Sequence, residues 1–402
     1  MEDGRPNHAV SKPLASALFF CLLAPQACAQ PRPAVVVPFE LRGDVVLVQA
    51  SVNGTGALLI LDTGSGVSVV DSALAHEAGL AMNGPRVTVA GNRSTSMQLG
   101  TAKSVRVGRA ELSDILIAPV SFSAVQERMG YDVRGSIGYE LFQRYVVAID
   151  FDARTLTLRD PREFSYTGSG VVLPVRVENR HPVADVSVVT RSHGTIVARM
   201  VLDLGSSSYA LRFATDYARA HGLADDTTTI AGPFGAGVDG VTEGQLLRFP
   251  QLRIGALTIE RPSAALSHEE TGAFGAGAQA DGTVGMPVFK RTRMIIDYSR
   301  SRVIFEPTGR LDMPDTVSTN GLSVVSQGPA RTLRVGYVMS GSPGDVAGVR
   351  VGDELAAVDG RSTDGMVVYE VTRLLRSAGA HRLRLRRGGE TLDVSFTPRI
   401  VF

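Results

Sequence analysis

Five short motifs occur twice along this 402-residue chain, in the same order each time. The apolar run Leu58-Leu59-Ile60-Leu61 leads into Asp62-Thr63-Gly64-Ser65, and Met200-Val201-Leu202 leads into Asp203-Leu204-Gly205-Ser206. Each copy then enters a helical stretch that ends in Gly-Leu, at Gly79-Leu80 and Gly222-Leu223, where glycine suits a helix C-terminus. Val105-Arg106-Val107-Gly108 returns as Leu252-Arg253-Ile254-Gly255. Gly135-Ser136-Ile137-Gly138 returns as Gly282-Thr283-Val284-Gly285, and Ala148-Ile149-Asp150-Phe151 as Ile295-Ile296-Asp297-Tyr298. These last three pairs are offset by 147 residues, whereas Asp62 and Asp203 are 141 apart. The second copy therefore carries six extra residues between its Asp and its Leu252 strand. The glycine-rich stretch 231–244 holds them and reads as a longer surface loop or hairpin. A period this long means two homologous lobes.

The segments around the motifs, such as Val45 to Val52, Arg144 to Phe151 and Arg293 to Phe305, are short alternating or wholly apolar runs. Gly, Asn and Asp bound them, which is the chemistry of strands and turns. Forty-three glycines and no tryptophan fit a turn-rich β protein better than a helical bundle. Breaks at 164–170 and 307–320 divide the chain into a first lobe over 30–165, a second over 166–308, a linker over 309–320 and a small domain over 321–402. The first 29 residues read as a signal peptide. Arg5 and Lys12 form a basic start, Leu14 to Ala24 an apolar run, and Ala27-Cys28-Ala29 a cleavage site before Gln30. The mature protein is thus expected to be exported, to the periplasm or the extracellular space. Cys21 and Cys28 are the two cysteines of the chain and both lie in that leader, so disulfides, thiol catalysis and cysteine metal sites are not expected. No later stretch is apolar for long enough to span a membrane. A balance of 41 basic against 40 acidic residues excludes the basic field of a nucleic-acid binder.

An aspartate placed directly after a buried apolar strand needs hydrogen bonds or a partner. The x-Gly-Ser that follows supplies a tight turn whose N–H groups and hydroxyl point at the carboxylate. A single such loop is equally consistent with a structural Asp turn. Two copies in homologous halves allow a pseudo-twofold axis to bring the carboxylates together, where they share a proton. One then serves as base for a bound water and the other as acid for a scissile carbonyl. Other chemistries fail on context. Gly235 to Gly240 matches a dinucleotide fingerprint by letter but opens no helix, and neither a Gly-x-Ser-x-Gly nor a His-Glu-x-x-His occurs. His76 and His221 sit at the ends of equivalent helices, a structural position. Asp150 and Asp297 read as strand-end turn residues.

With these motifs the chain resembles the bacterial single-chain aspartic proteases, related to retropepsins and pepsins, in which a PDZ domain follows the two lobes. The resemblance runs from about residue 34 to the end. It implies a mainly β fold: two pepsin/retropepsin-like β-barrel lobes related by the internal repeat, followed by a small α+β PDZ domain. It implies that Asp62 and Asp203 are the catalytic dyad, supported by the loop residues Thr63, Gly64, Ser65, Gly205 and Ser206. Thr63 would tie one loop to the other, and Ser65 and Ser206 would hydrogen-bond the carboxylates. The pairs Ile137-Gly138 and Val284-Gly285 would pack beneath the loops. Leu204 stands where the family has Thr or Ser, and no tyrosine lies between Met82 and Ala110 to act as a pepsin-type flap residue. The PDZ resemblance rests on Gly341-Ser342-Pro343, Ala347-Gly348-Val349 and Gly352-Asp353. Gly321, Leu322, Ser323 and Val324 would form its carboxylate-binding loop, where a peptide adds as a strand against a helix over Met366 to Leu375. The expected protein is an exported aspartic-type endopeptidase with no metal and no cofactor. Its partners would be a peptide or protein substrate and a C-terminal peptide at the PDZ domain. The alternative is a catalytically degenerate protein that holds peptides in the cleft and the PDZ groove without cutting them.

Overall fold

Asn53 and Gly54 both take left-handed backbone, at φ 48° and 88°. That two-residue turn matches the twist of paired strands, and it joins β1 (Val45–Val52) to β2 (Thr55–Leu61) in register Val52 to Thr55. After the Asp62 loop comes α1 (Ser72–Glu77), whose first turn is capped by the Asp71 carboxylate on the Ala73 N–H. Gly79, at φ 58°, ends it as the Gly-Leu motif predicts. The hairpin β3 (Arg86–Ala90) and β4 (Ser94–Gln98) precedes the long pair β5 (Gly100–Val107) and β6 (Ala110–Val120). Then follow α2 (Ser123–Met129), β7 (Val133–Ile137), α3 (Tyr139–Arg144) and β8 (Val146–Asp150). Strand β1 pairs with both β2 and β5, which curls the first lobe's seven-stranded sheet into a barrel.

This computed structural model describes residues 1, 4 and 33–400, apart from 91–93, 228, 238–239, 272, 276, 316 and 329–330. The leader and its two cysteines therefore lie outside the described residues. Among those described, no helix is long and apolar enough to cross a membrane.

The second lobe repeats the plan with β9 (His181–Val189), β10 (Thr195–Leu202) and α4 (Thr215–Ala220). Of the six extra residues, two fall before the Gly222-Leu223 helix end, which is offset by 143 from Gly79-Leu80, and four fall after it, in the region of the hairpin of β11 (Ile230–Gly237) and β12 (Gly240–Arg248). Next are β13 (Gly282–Val284), α5 (Met286–Phe289) and β14 (Thr292–Asp297). The run read as Arg293 to Phe305 is a hairpin, since a turn at Tyr298–Arg300 separates β14 from the strand Arg302–Pro307. The lobes share a six-stranded sheet at whose centre β8 and β14 run antiparallel, Val147 facing Ile296 and Ile149 facing Met294. All four side chains are fully buried, so the repeats meet at their homologous strands. Buried Asp297 ends β14 by binding Arg300 and Arg302, the strand-end role expected of it.

The last domain has its own core of Val324, Leu333, Val335, Leu355, Val371, Leu383 and Leu385. Its elements are β15 (Leu322–Gln327), β16 (Thr332–Val338), α6 (Pro343–Val346), β17 (Glu354–Val358), α7 (Val368–Leu375), β18 (His381–Arg387) and β19 (Glu390–Phe396). Strand Ser318–Thr319, within the stretch read as linker, pairs with Arg399–Ile400. Earlier in that stretch the Asp315 carboxylate accepts the Ser263 N–H at 2.7 Å, which ties it to the second lobe.

Candidate active site

Strands β2 and β10 each close on an apolar run, Leu58 to Leu61 and Met200 to Leu202, and each then delivers an aspartate at the point where the two lobes meet. The delivery is fixed by parallel pairing. Strand β7 runs beside β2, with Ile137 opposite Leu61, and β13 runs beside β10, with Val284 opposite Leu202. The Asp62 N–H donates to the Ile137 carbonyl at 3.0 Å, and the Asp203 N–H to the Val284 carbonyl at 2.9 Å. Gly138 and Gly285 follow, and there the chain passes under the loops: Tyr139 N–H binds the Ser65 carbonyl and Met286 N–H the Ser206 carbonyl. A Cβ at either glycine would collide with those carbonyls.

Each carboxylate is turned inward by its own loop. Asp62 Oδ1 accepts the Gly64 N–H at 2.7 Å and Oδ2 accepts the Ser65 hydroxyl at 3.0 Å, while Asp203 Oδ1 accepts the Gly205 N–H at 2.8 Å. Neither Gly64 nor Gly205 has a left-handed backbone, so their lack of a side chain serves another purpose. A Cβ on Gly205 would lie 2.6 Å from Asp62 Oδ1, and one on Gly64 would strike Asp203 Oδ1. Each carboxylate thus lies against the other loop's glycine, near enough for the charge of Asp62 to act on the Asp203 carboxyl. Two carboxyls held this way resist ionising together, which favours a proton shared between them. Burial, and then the charge of Asp62, push the Asp203 carboxyl up to about 7, against the opposing pull of Arg212 and the Gly205 N–H.

Thr63 binds the loops together. Its hydroxyl donates to the Leu202 carbonyl at 2.6 Å and accepts the Leu204 N–H at 2.9 Å, both across the lobe boundary. Leu204 is fully buried and its hydrocarbon side chain joins the main core, so it has no hydroxyl to return the bond. One expectation is corrected. Ser65 binds its aspartate and also meets Ser136 at 2.9 Å, but the buried Ser206 hydroxyl faces Thr283 Oγ1 at 3.5 Å rather than Asp203. Thr283 lies on β13 under the loop and gives Ser206 a polar neighbour in an otherwise apolar bed. The dyad is therefore asymmetric, with two loop donors on Asp62 and one on Asp203.

Three further residues shape the site. Glu140 accepts both the N–H and the hydroxyl of Ser68, at 3.0 and 2.6 Å, while the Ser68 oxygen accepts the Gly138 N–H. Burial raises the Glu140 carboxyl above its usual range. Its spacing from the Ile137-Gly138 motif was the available clue. His181 on β9 places Nε2 3.0 Å from the Gly64 carbonyl, and Arg212 lies 4.1 Å over the Phe274 ring with its charge acting on Asp203. No sequence signal marks either of these two, because their neighbours are brought by the fold. Among the described residues no three His, Cys, Asp or Glu side chains converge as metal ligands.

In the C-terminal domain, buried Gly321 takes φ 78° before β15, Leu322 and Ser323 are half-buried, and Val324 is buried in the core. The neighbouring helix α7 starts at Val368, two residues later than expected.

Residues 48–141 match the family described as Aspartyl protease, and residues 334–386 the one described as PDZ domain. Solved structures similar to the chain include the aspartic proteinase from Irpex lacteus, 15% identical over 70% of this chain and 99% of that one, at a TM-score of 0.44. No curated protein matches. The chain carries an aspartyl protease domain and, after its two barrel lobes, a PDZ domain.

Proposed function

We propose that this protein is an exported aspartic-type endopeptidase that hydrolyses peptide bonds with a water activated by Asp62 and Asp203. The observation that carries the reading is the convergence of the two carboxyls at the lobe boundary, each lying against the other loop's glycine. An idle pair of like charges is costly to bury. The asymmetry assigns the roles. Gly64 N–H and the Ser65 hydroxyl stabilise negative charge on Asp62, while burial keeps the proton on Asp203. Asp62 then takes a proton from water as the water oxygen bonds to the scissile carbonyl carbon, and Asp203 gives its proton to the carbonyl oxygen. In the second step Asp62 passes its proton to the departing nitrogen, the C–N bond breaks, and Asp203 recovers a proton from the diol. Thr63 holds the loops in the geometry both transfers need.

The reading is tested by incubating the protein with an unfolded polypeptide between pH 4 and 8 and reading new termini by mass spectrometry. Internal cleavage that fades above about pH 7 supports it; an intact substrate at every pH contradicts it. Export is tested separately, since the mature N-terminus should be Gln30. The second reading, a peptide-binding protein without turnover, is favoured by one observation: buried Leu204 leaves the loops tied from one side.

A further inference from the structure

The groove in which a PDZ domain takes a peptide lies between β15 and α7, walled by Leu322, Val324, Val368 and Val371. Here another part of the chain is already against it. Helix α2 of the first lobe packs on both β15 and α7. The helix ends at Gly130, whose left-handed backbone lets the chain pass close to α7: a Cβ there would lie 2.8 Å from the Val368 nitrogen and 3.3 Å from the Val368 Cβ. The Gly130 carbonyl accepts a hydrogen bond from Arg331, the last residue of the β15–β16 turn, at 3.3 Å. The opposite end of the groove is closed from within. Asn320 accepts the Leu322 N–H at 2.8 Å, a group the carboxylate-binding loop would offer to a ligand, and donates to the Leu375 carbonyl at 2.9 Å.

The same domain also reaches the second lobe. Met339 and Tyr337 join a cluster with Tyr209, Leu246 and Ala265, and Met339 Cε comes within 2.8 Å of a Cβ built on Gly232 in the hairpin β11–β12. Both contacts lie close in sequence to the dyad loops. Helix α2 feeds into β7, whose last residue Ile137 binds the Asp62 N–H, and Tyr209 follows Asp203 by six residues.

We propose that the PDZ groove is a docking site within the chain, occupied by helix α2, and that the domain acts as a latch across the two lobes which a peptide C-terminus releases by displacing that helix. The proposal rests on the PDZ domain being a peptide receptor, and it regulates the dyad through α2 and Tyr209 without altering the chemistry assigned above.

The test uses the full chain with Cys21→Ser, Cys28→Ser, Gly130→Cys and Val368→Cys, since the Cβ separation of 3.3 Å is near disulfide range. The probe is a fluorescent decapeptide ending in valine with a free carboxylate. Oxidation should close the cross-link and abolish probe binding, and reduction should restore it. Arg331→Ala, which loosens α2 without touching the groove walls, should raise probe affinity at least threefold. Hydrogen exchange of the unsubstituted chain gives the same information if the double cysteine variant misfolds, because probe should deprotect residues 123–129. Failure of the cross-link to form in folded protein overturns the proposal, as does equal probe binding in oxidised and reduced forms. A cross-link that forms while no variant binds probe also overturns the latch, and it leaves the peptidase reading standing, since no step of this test reads cleavage.

Discussion

Asp203→Asn should make the protein inactive and, at neutral pH, more stable. Asparagine keeps an oxygen for the Gly205 N–H and offers an amide N–H to Asp62, so the loop geometry survives while the like-charge contact is removed. The size follows from the Asp203 carboxyl. It rises from an ordinary 3.8 to about 7, and each pH unit is worth about 1.4 kcal/mol, which sets a ceiling of about 4 kcal/mol. Because Asp203 is half-buried and shares its proton with Asp62, a gain of about 2–4 kcal/mol is expected. The direction with pH is fixed by the raised value. Well below pH 3.8, folded and unfolded chains are both protonated and Asp203 carries no penalty. As pH rises, the unfolded chain releases its proton first, and wild-type stability falls until about pH 7, then levels. The variant lacks this fall, so its advantage grows from a small part of its full size at pH 4 to its full value at pH 8. Urea unfolding followed by far-UV circular dichroism suits a chain without tryptophan. An advantage of the same size at pH 4 and pH 8, or a less stable variant at pH 8, would refute the shared-proton contact.

Thr63→Val removes both cross-lobe bonds and strands the Leu204 N–H and the Leu202 carbonyl in the core. It should cost about 2–4 kcal/mol and nearly abolish kcat, read by denaturation and by peptide turnover. Leu204→Thr supplies the missing hydroxyl at the expense of apolar burial; kcat should be kept or raised even as the urea midpoint drops. Gly205→Ala pushes a methyl to within 2.6 Å of Asp62 Oδ1, so turnover should fall at least about 100-fold with the fold intact by circular dichroism.

Much of this architecture is written as repetition. Asp-x-Gly-Ser, the Gly-Leu helix ends and the Ile-Asp-aromatic strands are local patterns, and each recurs because each lobe needs the same turn chemistry. The sheet joining the lobes is less legible, because Val147 and Ile296 have no pattern that names each other as partners. Inside the site, repetition also misleads. Ser65 and Ser206 occupy equivalent places, yet one binds its aspartate and the other turns to Thr283, a choice set by which hydroxyl lies beneath. His181, Arg212 and Asn320 act through neighbours distant in sequence, so only folding reveals them. The PDZ motifs predict a groove but carry no word of helix α2, whose arrival depends on how the domain sits on the first lobe.

The account's central claim is that Asp62 and Asp203 act as one water-activating pair. It is tested most directly by cleavage of a peptide library from pH 4 to 8 with the wild type, Asp62→Asn and Asp203→Asn. The account predicts internal cleavage by the wild type that declines above about pH 7, and no cleavage by either variant at any pH, because the pair works only as a unit. Wild-type turnover by Asp203→Asn would contradict it and reduce the second lobe to a scaffold.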